Sequence, residues 1–171
     1  MNQPATAQSL TDAALGALLG ACVGDAAGAV LEFVEPAPTT AQVQWALTMP
    51  GGGVWGVAPG QITDDGELML CLAQALADSP TFDLERIART YAAWIASPPF
   101  DIGTTTSRSL GAAQGVQSAY AATMTSAAAR YCMESKANGS LMRAAPLGVW
   151  GRRLTPAALA ECARQDSCLS H

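Results

Sequence analysis

Residues 13–34 read AALGALLGACVGDAAGAVLEFV, an almost wholly apolar run that is long enough to cross a lipid bilayer. Its glycines repeat every four residues, at Gly16, Gly20, Gly24 and Gly28. That spacing lets a second helix or a ligand approach the backbone closely. Asp25 lies in the middle of the run, where a carboxylate costs about 3 kcal/mol to insert into a membrane. Because no basic residue flanks the run either, we expect a helix buried in a soluble bundle and no membrane partner.

The composition of the whole chain is typical of an all-α domain. Its 171 residues are 50% hydrophobic and 13% charged, which excludes intrinsic disorder as the main state. Aromatic residues make up only 6% and alanine is abundant, so helices are favoured over strands. The net charge is −5 and no basic cluster is present, so we expect no nucleic-acid partner.

The cysteines and the N-terminus bear on the cellular compartment. The five cysteines form no C-x-x-C pair, and their odd number argues against a full disulfide framework or a zinc site. Residues 1–11 have no positive charge and no apolar core, so we predict no signal peptide. Reduced, buried thiols in a cytoplasmic protein are the expectation.

Helix signals separated by proline, glycine and polar turns follow one another along the chain. We expect helices at Leu10–Phe33, from Asp64, from Asp83 to Ser97, at about Ser107–Tyr120 and from Pro156. We expect a loop at Thr39–Gly60, and no alternating strand pattern stands out. Polar and acidic clusters lie at helix starts and in loops, which is where a functional site is expected.

Two groups of acidic residues carry the chemistry that the sequence offers. Thr63, Asp64 and Asp65 supply hard oxygen ligands that suit Mg²⁺ or Mn²⁺, although acids at a helix start also serve as caps. Asp25 and Glu32 are seven residues apart, which predicts that both carboxylates lie on one face of a helix. Such acids face a metal, a cation or a water-filled cleft, or lie on an exposed helix edge.

Two polar loops complete the candidate site. Asp101 lies in a loop framed by proline and glycine, where it can form a turn, cap a helix or hold a guanidinium through two hydrogen bonds. The turn at residues 138–140 offers backbone N–H groups to a phosphate, which alone is a weak signal. His171 is the only histidine and the last residue, a position that is usually solvated.

Taken together, five segments resemble the ADP-ribosylglycohydrolase family. They are GDAAGAVLEF at 24–33, ITDDGEL at 62–68, PPFDIGTTTSRSL at 98–110, NGSLMRAAPLG at 138–148 and SCLSH at 167–171. They occur in the family's order, which makes the resemblance specific. The FDIG element is most similar to the bacterial dinitrogenase reductase-activating glycohydrolases, which remove ADP-ribose from arginine.

The resemblance implies a fold, a cofactor and site residues. The fold is all-α with orthogonally packed helices, and the complete fold holds two Mg²⁺ or Mn²⁺ ions. Thr63, Asp64 and Asp65 match metal ligands, Glu32 matches the acid proposed as catalytic in some relatives, and Asp101 matches the carboxylate that holds the arginine guanidinium. We expect Glu32 or an Asp of the metal cluster, Asp65, to act as the general base. We expect the substrate, an ADP-ribosylated protein or ADP-ribose, to be bound by Asp25, Ser135, Asn138, Gly139, Ser140 and His171.

Two departures from the family pattern limit this expectation. Gly66 replaces a threonine that often follows Asp65 in relatives. The late Asp-x-Asp-Thr motif that carries the remaining metal ligands is not found in these residues. We therefore expect residues 1–171 to be the N-terminal portion of a single domain, with the C-terminal portion supplied as a separate chain. The alternative is a catalytically incomplete relative that binds ADP-ribose or is structural.

Overall fold

The computed structural model describes residues 7–171, with side chains from Gln8 onward, and the chain within them is helical with no strand. The α-helices are α1 Ala7–Gly28, α2 Thr40–Ala46, α3 Asp64–Ala77, α4 Leu84–Ala96, α5 Thr104–Leu110, α6 Tyr120–Tyr131, α7 Ala145–Trp150 and α8 Pro156–Ser167. Short 3₁₀ turns follow α1 at Ala29–Leu31 and α5 at Gly111–Ala113. The predicted all-α class is confirmed.

The chain divides into two compact units at the start of α3. The first unit ends at Thr63, and the second runs from Asp64 to His171. Each unit has its own apolar core, so each is described by itself. The candidate metal ligands predicted from the sequence therefore follow one another across this boundary, with Thr63 in the first unit and Asp64 in the second.

We expected α1 to be buried in a bundle, and this expectation is wrong for the residues that the structure describes. Leu15, Leu19 and Val23 are 51%, 60% and 47% exposed. The core of the first unit consists of Ala29, Val30, Ala46 and Val57, all of which come after α1 in the chain. Among the described residues, one helical stretch, Gln8–Leu31, is long and apolar enough to cross a membrane by length and composition alone.

Helix α2 lies within Thr39–Gly60, where we expected only a loop. Thr39 and Gln42 form a capping box, in which the Gln42 N–H donates to Thr39 Oγ1 and the Thr39 N–H donates to Gln42 Oε1. The helix is short, so its apolar periodicity is too brief to be read from the sequence. The glycines that follow it make a tight turn, in which Gly53 has φ +70° and lies against the backbone of Ala29 and Val30.

The core of the second unit is built mainly by α3 and α4. Leu68 and Leu72 of α3 pack with Ile87, Tyr91 and other buried residues of α4. Each fully buried Leu or Ile contributes about 1.5–3 kcal/mol. Asp83 caps α4 by accepting a hydrogen bond from the Arg86 N–H at 3.0 Å, as the sequence predicts.

The segment after α4 folds differently from the prediction. The helix expected at about Ser107–Tyr120 is instead the shorter α5 with its 3₁₀ turn, and α6 begins at Tyr120. The N-terminus of α6 is capped from α4, because the Glu85 carboxylate accepts the N–H groups of Tyr120 and Ala121 at 2.8 and 2.9 Å. A cap supplied from 35 residues away has no local sequence signal.

Candidate functional site

In the first unit, Asp25 holds Thr63 through two hydrogen bonds. The Thr63 N–H donates to Asp25 Oδ2 at 2.9 Å, and Thr63 Oγ1 donates to Asp25 Oδ1 at 2.7 Å. Because the hydroxyl proton of Thr63 points to Asp25, the lone pairs of Oγ1 remain for an electropositive partner. Asp25 thus fixes the orientation of Thr63, which the resemblance implies is a metal ligand. The role of Asp25 in binding substrate stays a prediction.

Glu32 also lies in the first unit, but not on one helical face with Asp25 as we expected. Helix α1 ends at Gly28, and Glu32 follows the 3₁₀ turn with an extended backbone. Its carboxylate accepts a hydrogen bond from Trp55 Nε1 at 2.6 Å. The Trp55 ring in turn packs against Phe33, with 6.4 Å between ring centroids. Glu32 is exposed, so its second oxygen is accessible to water.

In the second unit, Asp64 and the loop that contains Asp101 are joined. Asp64 begins α3 and is 7% exposed, and its Oδ2 accepts a hydrogen bond from the Gly103 N–H at 3.4 Å. Asp101, two residues before Gly103, is 8% exposed. The two carboxylates are thus carried by segments that are hydrogen-bonded to each other. Two largely buried carboxylates require compensating positive charge or hydrogen bonds.

The donor chemistry of α3's first turn fits a hard cation, although the turn is not a complete cage. Asp65 is half-buried beside Asp64, and Glu67 accepts a hydrogen bond from Trp94 Nε1 at 2.6 Å. Within residues 7–171, no group of three or more His, Cys, Asp or Glu side chains is arranged to hold a metal ion. Carboxylate and hydroxyl oxygens remain the ligands that Mg²⁺ and Mn²⁺ prefer.

The predicted ADP-ribose turn, residues 135–140, is held against α5. Ser135 Oγ and Thr105 Oγ1 are 2.7 Å apart and share a hydrogen bond. The carbonyl of Asn138 accepts the N–H groups of Leu141 and Met142 at 2.7 and 3.0 Å. Ser140 is half-buried in the same turn. These hydrogen bonds stabilise the backbone of the segment and its position beside α5.

Gly139, Thr106 and His171 come together, although they are far apart in sequence. A Cβ atom on Gly139 would lie 2.8 Å from Thr106 Oγ1 and 3.1 Å from His171 Cε1. No larger residue fits at position 139 without moving these side chains. As the last residue, His171 was expected to be exposed to solvent. Its Nε2 is instead buried and has no hydrogen-bond partner in the described part of the chain.

The environment of His171 favours its neutral form. Burial lowers the pKa of His171 below 6.5, and the positive charge of Arg143 lowers it further. A hydrogen bond with the backbone of Ala137 raises this pKa and offsets part of the decrease. A neutral imidazole carries its proton on one nitrogen and accepts on the other. His171 Nδ1 lies 2.9 Å from Ser170 Oγ, so the two nitrogens have different surroundings.

Sequence reasoning missed the group that organises this region. Arg143 is fully buried and donates from Nε to Asp166 Oδ2 at 2.9 Å and from Nη1 to the Gly139 carbonyl and Ser170 Oγ, each at 3.0 Å. The Tyr91 hydroxyl donates to the other Asp166 oxygen at 2.8 Å. Arg143 lies in the NGSLMR segment and Asp166 lies just before SCLSH. Arg143 lies in a turn, and Asp166 follows two other polar residues in α8, so the local sequence carries no signal that the two residues pair.

Comparisons with known proteins agree on one family. The family model described as ADP-ribosylglycohydrolase matches residues 6–171. The ADP-ribosyl-[dinitrogen reductase] glycohydrolase of Rhodospirillum rubrum is 43% identical over 105 residues, which are 61% of this chain and 36% of that protein. The ADP-ribosylarginine hydrolase Tri1 of Pseudomonas putida is 30% identical over 171 residues, which are 95% of this chain and 42% of that protein.

A solved structure shows the same fold. A chain from an ADP-ribosylglycohydrolase-related protein complex has a TM-score of 0.66 and 29% identity, and the match covers 96% of this chain and 50% of that chain. This chain thus spans half or less of the length of the proteins it matches.

Proposed function

The chain belongs to the ADP-ribosylglycohydrolase family, and from this premise we propose that it carries the substrate-recognition part of a hydrolase acting on ADP-ribosylated arginine side chains. The reaction adds water across the N-glycosidic bond. The hydroxyl group joins the ribose carbon, and the proton goes to the guanidinium nitrogen that leaves. The observation that carries the proposal is the buried Asp101 on a loop hydrogen-bonded to the Asp64 carboxylate.

Asp101 is the residue to which we assign the arginine side chain. A carboxylate accepts two parallel N–H bonds from a guanidinium, a geometry that fixes the leaving group as well as binding it. Because Asp101 is 8% exposed, such a pair is largely screened from water, and its strength is correspondingly greater than at the surface. The names of the R. rubrum and P. putida relatives, which specify dinitrogen reductase and ADP-ribosylarginine, support this acceptor.

We assign Thr63, Asp64 and Asp65 as protein ligands for Mg²⁺ or Mn²⁺. Asp25 supports this role because it accepts a hydrogen bond from the Thr63 hydroxyl, which leaves the lone pairs of Thr63 Oγ1 available to a cation. A bound divalent ion supplies a Lewis acid that polarises oxygen and helps to position substrate and water. Three ligands from one turn leave most of the coordination sphere open, so the two ions of the complete fold need ligands from elsewhere.

Two acidic residues are candidates for the base that takes a proton from the attacking water. Glu32 is exposed, and the hydrogen bond from Trp55 Nε1 fixes one of its carboxylate oxygens while the other remains accessible. Asp65, half-buried in the first turn of α3, is the second candidate. For binding of the ADP-ribose moiety we assign Asp25, Ser135, Asn138, Gly139, Ser140 and His171.

The remaining part of the fold is the partner that we propose for this chain. The match covers 36% and 42% of the two relatives and half of the solved chain, which supports a missing portion that carries the other metal ligands. We propose that this portion is a separate chain, and that the complex acts in the cytoplasm.

The first prediction concerns Asp101. We expect Asp101→Asn to reduce hydrolysis of an ADP-ribosylated arginine peptide at least tenfold, because the neutral amide cannot pair with a guanidinium through two charge-assisted bonds. We expect the affinity for free ADP-ribose, which lacks the arginine, to change less than about twofold. Release of ADP-ribose is measured with Mg²⁺ or Mn²⁺ and with a chelator, and ADP-ribose binding is measured by calorimetry.

Asp78→Asn is the matched control, because Asp78 is an exposed acid just after α3. Equal losses of hydrolysis and of ADP-ribose affinity in Asp101→Asn would contradict the guanidinium role. A wild-type chain that binds ADP-ribose without hydrolysing the peptide would instead support the alternative, an ADP-ribose-binding relative with an incomplete metal site. A wild-type chain that binds no ADP-ribose would contradict both functions.

A further inference from the structure

Trp55 contacts the candidate base Glu32, although it belongs to none of the motifs that indicated the site. Its Nε1 donates to Glu32 Oε2 at 2.6 Å, and the two residues are 23 positions apart within the first unit. An indole N–H only donates, and its bond to a carboxylate is charge-assisted. Both residues lie outside the helices, so other contacts must fix the distance between them.

The turn that carries Trp55 is closed by its own backbone. Gly52 and Val57 exchange two hydrogen bonds, with 2.7 Å from the Gly52 nitrogen and 3.0 Å from the Val57 nitrogen to the opposite carbonyl oxygen. Inside this bridge, the Gly56 N–H donates to the Gly53 carbonyl at 3.2 Å. Gly53 and Gly56 have φ +70° and +62°, a backbone conformation that favours glycine. The fold of the turn therefore sets the position of the Trp55 backbone.

The same turn is packed against the segment that leads into Glu32. A Cβ atom on Gly53 would lie 2.8 Å from the Ala29 carbonyl oxygen and 2.9 Å from Val30 Cα, so the two backbones are in direct contact. Val57, at the other end of the turn, lies in one apolar core with these two residues. Ala29 and Val30 belong to the 3₁₀ turn that ends just before Glu32. Both partners of the hydrogen bond are thus held by one packed core.

Phe33 supports the indole ring of Trp55. It follows Glu32 directly and has φ +59°, a strained conformation for a bulky side chain. Its ring meets the Trp55 ring at 69°, with 6.4 Å between the centroids. Phe33 is 73% exposed, so burial in the core does not account for this conformation. The strained residue beside Glu32 instead makes an aromatic contact with the residue that donates to Glu32.

We propose that Trp55 is a positioning residue that anchors Glu32 Oε2, so that Oε1 takes the proton from the attacking water. This inference rests on the proposed function, and it selects Glu32 over Asp65 as the base. The proton moves from water to Oε1, and the remaining hydroxyl group joins the ribose carbon. An exposed glutamate loses much of its rotamer freedom when one oxygen is held by a fixed donor, which lowers the entropy cost of reaching the reactive geometry.

The first test is spectroscopic and needs no activity. The chain has four tryptophans, and their indole N–H signals are resolved in a ¹H–¹⁵N spectrum. Trp55→Phe and Trp45→Phe each remove one signal and thereby identify it. We expect the Trp55 proton downfield of the proton of Trp45, an exposed residue of α2, and we expect Glu32→Ala to move it upfield. A Trp55 signal that does not change in Glu32→Ala overturns the positioning role.

The second test is kinetic and uses Trp55→Phe, which keeps an aromatic ring beside Phe33 but loses the N–H. With an ADP-ribosylated arginine peptide, we expect kcat to fall about threefold to tenfold and KM to change less than about twofold. Added to Glu32→Gln, Trp55→Phe should cause no further loss, because it acts only through Glu32. Trp45→Phe is the matched control in the same unit and should hydrolyse the peptide like the wild type.

The outcomes separate this inference from the proposed function. An unchanged kcat in Trp55→Phe, an equal loss in Trp45→Phe, or a further loss when Trp55→Phe is added to Glu32→Gln overturns the positioning role. A wild-type chain that hydrolyses no peptide overturns the proposed function and the catalytic step together. In that case the indole signals still decide whether Trp55 holds Glu32.

Discussion

His171 makes the residue scale experimentally accessible, because no other imidazole titrates in the chain. Burial and Arg143 lower its pKa below 6.5 in the folded state. The unfolded chain therefore takes up a proton at His171 before the folded chain does as the pH falls. We expect the free energy of unfolding of the wild type to decrease, relative to His171→Gln, from about pH 6.5 downward until the lowered pKa is passed.

Urea unfolding of both proteins at several pH values between 5 and 8 measures this difference, with ~0.5-unit steps near the ordinary histidine pKa of about 6.5. His171→Gln is a suitable reference because Gln keeps an N–H donor and an oxygen acceptor but does not titrate. All carboxylates are common to the two proteins, so their titration cancels in the difference. A difference that stays constant across this range would show that the folded environment does not depress the pKa.

At the same scale, the sequence identified individual chemical groups better than it identified their partners. Asp101 could be proposed as a guanidinium ligand because its residue type and loop context are local. The proximity of Gly139 to His171 depends on Arg143 and Asp166, which are 23 residues apart. A buried ion pair at that separation leaves no periodic or motif signal, so the surroundings of the terminal histidine could not be predicted from residue types.

At the scale of elements, a helix start with a local cap was predictable from the sequence, whereas a helix start that is capped by a distant residue was not. The start of α8 was predictable because Thr155 caps it locally, accepting the Ala158 N–H at 3.2 Å, with Pro156 in the first turn. The start of α6 was not, because its first N–H groups are satisfied by Glu85 of α4 and not by a preceding side chain. Ala119, which precedes the helix, has φ +58° and offers no capping group.

Glu85 is therefore the residue through which α4 determines where α6 begins. We expect Glu85→Ala to lower the free energy of unfolding by about 1–2 kcal/mol, because two charge-assisted hydrogen bonds at an exposed site are lost. The loss should be local, with faster amide hydrogen exchange at Tyr120 and Ala121 than in the wild type. Glu85→Gln keeps one acceptor oxygen and should lie between the two. Unchanged exchange at these amides in Glu85→Ala would show that tertiary packing alone starts α6.

At the scale of the whole molecule, the exposed face of α1 is a candidate packing surface. Leu15, Leu19 and Val23 are spaced by four residues, so they form one exposed apolar stripe. Within the described part of the chain, no atom lies within 4 Å of a Cβ built on Gly16 or Gly20, so the glycine side of the helix, next to the stripe, also has no close neighbour. An exposed apolar stripe of this kind is a surface suited to packing against another apolar surface.

An uncovered stripe of this size should make the isolated chain associate with itself. Burying one exposed leucine is worth about 1.5–3 kcal/mol, so two copies gain from packing their α1 helices together.

We expect concentration-dependent sedimentation for the wild type and a monomer for the double variant Leu15→Gln with Leu19→Gln. Leu70→Gln, at an exposed leucine of α3 in the second unit, should sediment like the wild type. Identical sedimentation of the wild type and the double variant would exclude the stripe as an association surface. Recovery of the wild type with lipid vesicles in flotation would instead favour a membrane as the cover for α1, which its length and hydropathy also permit.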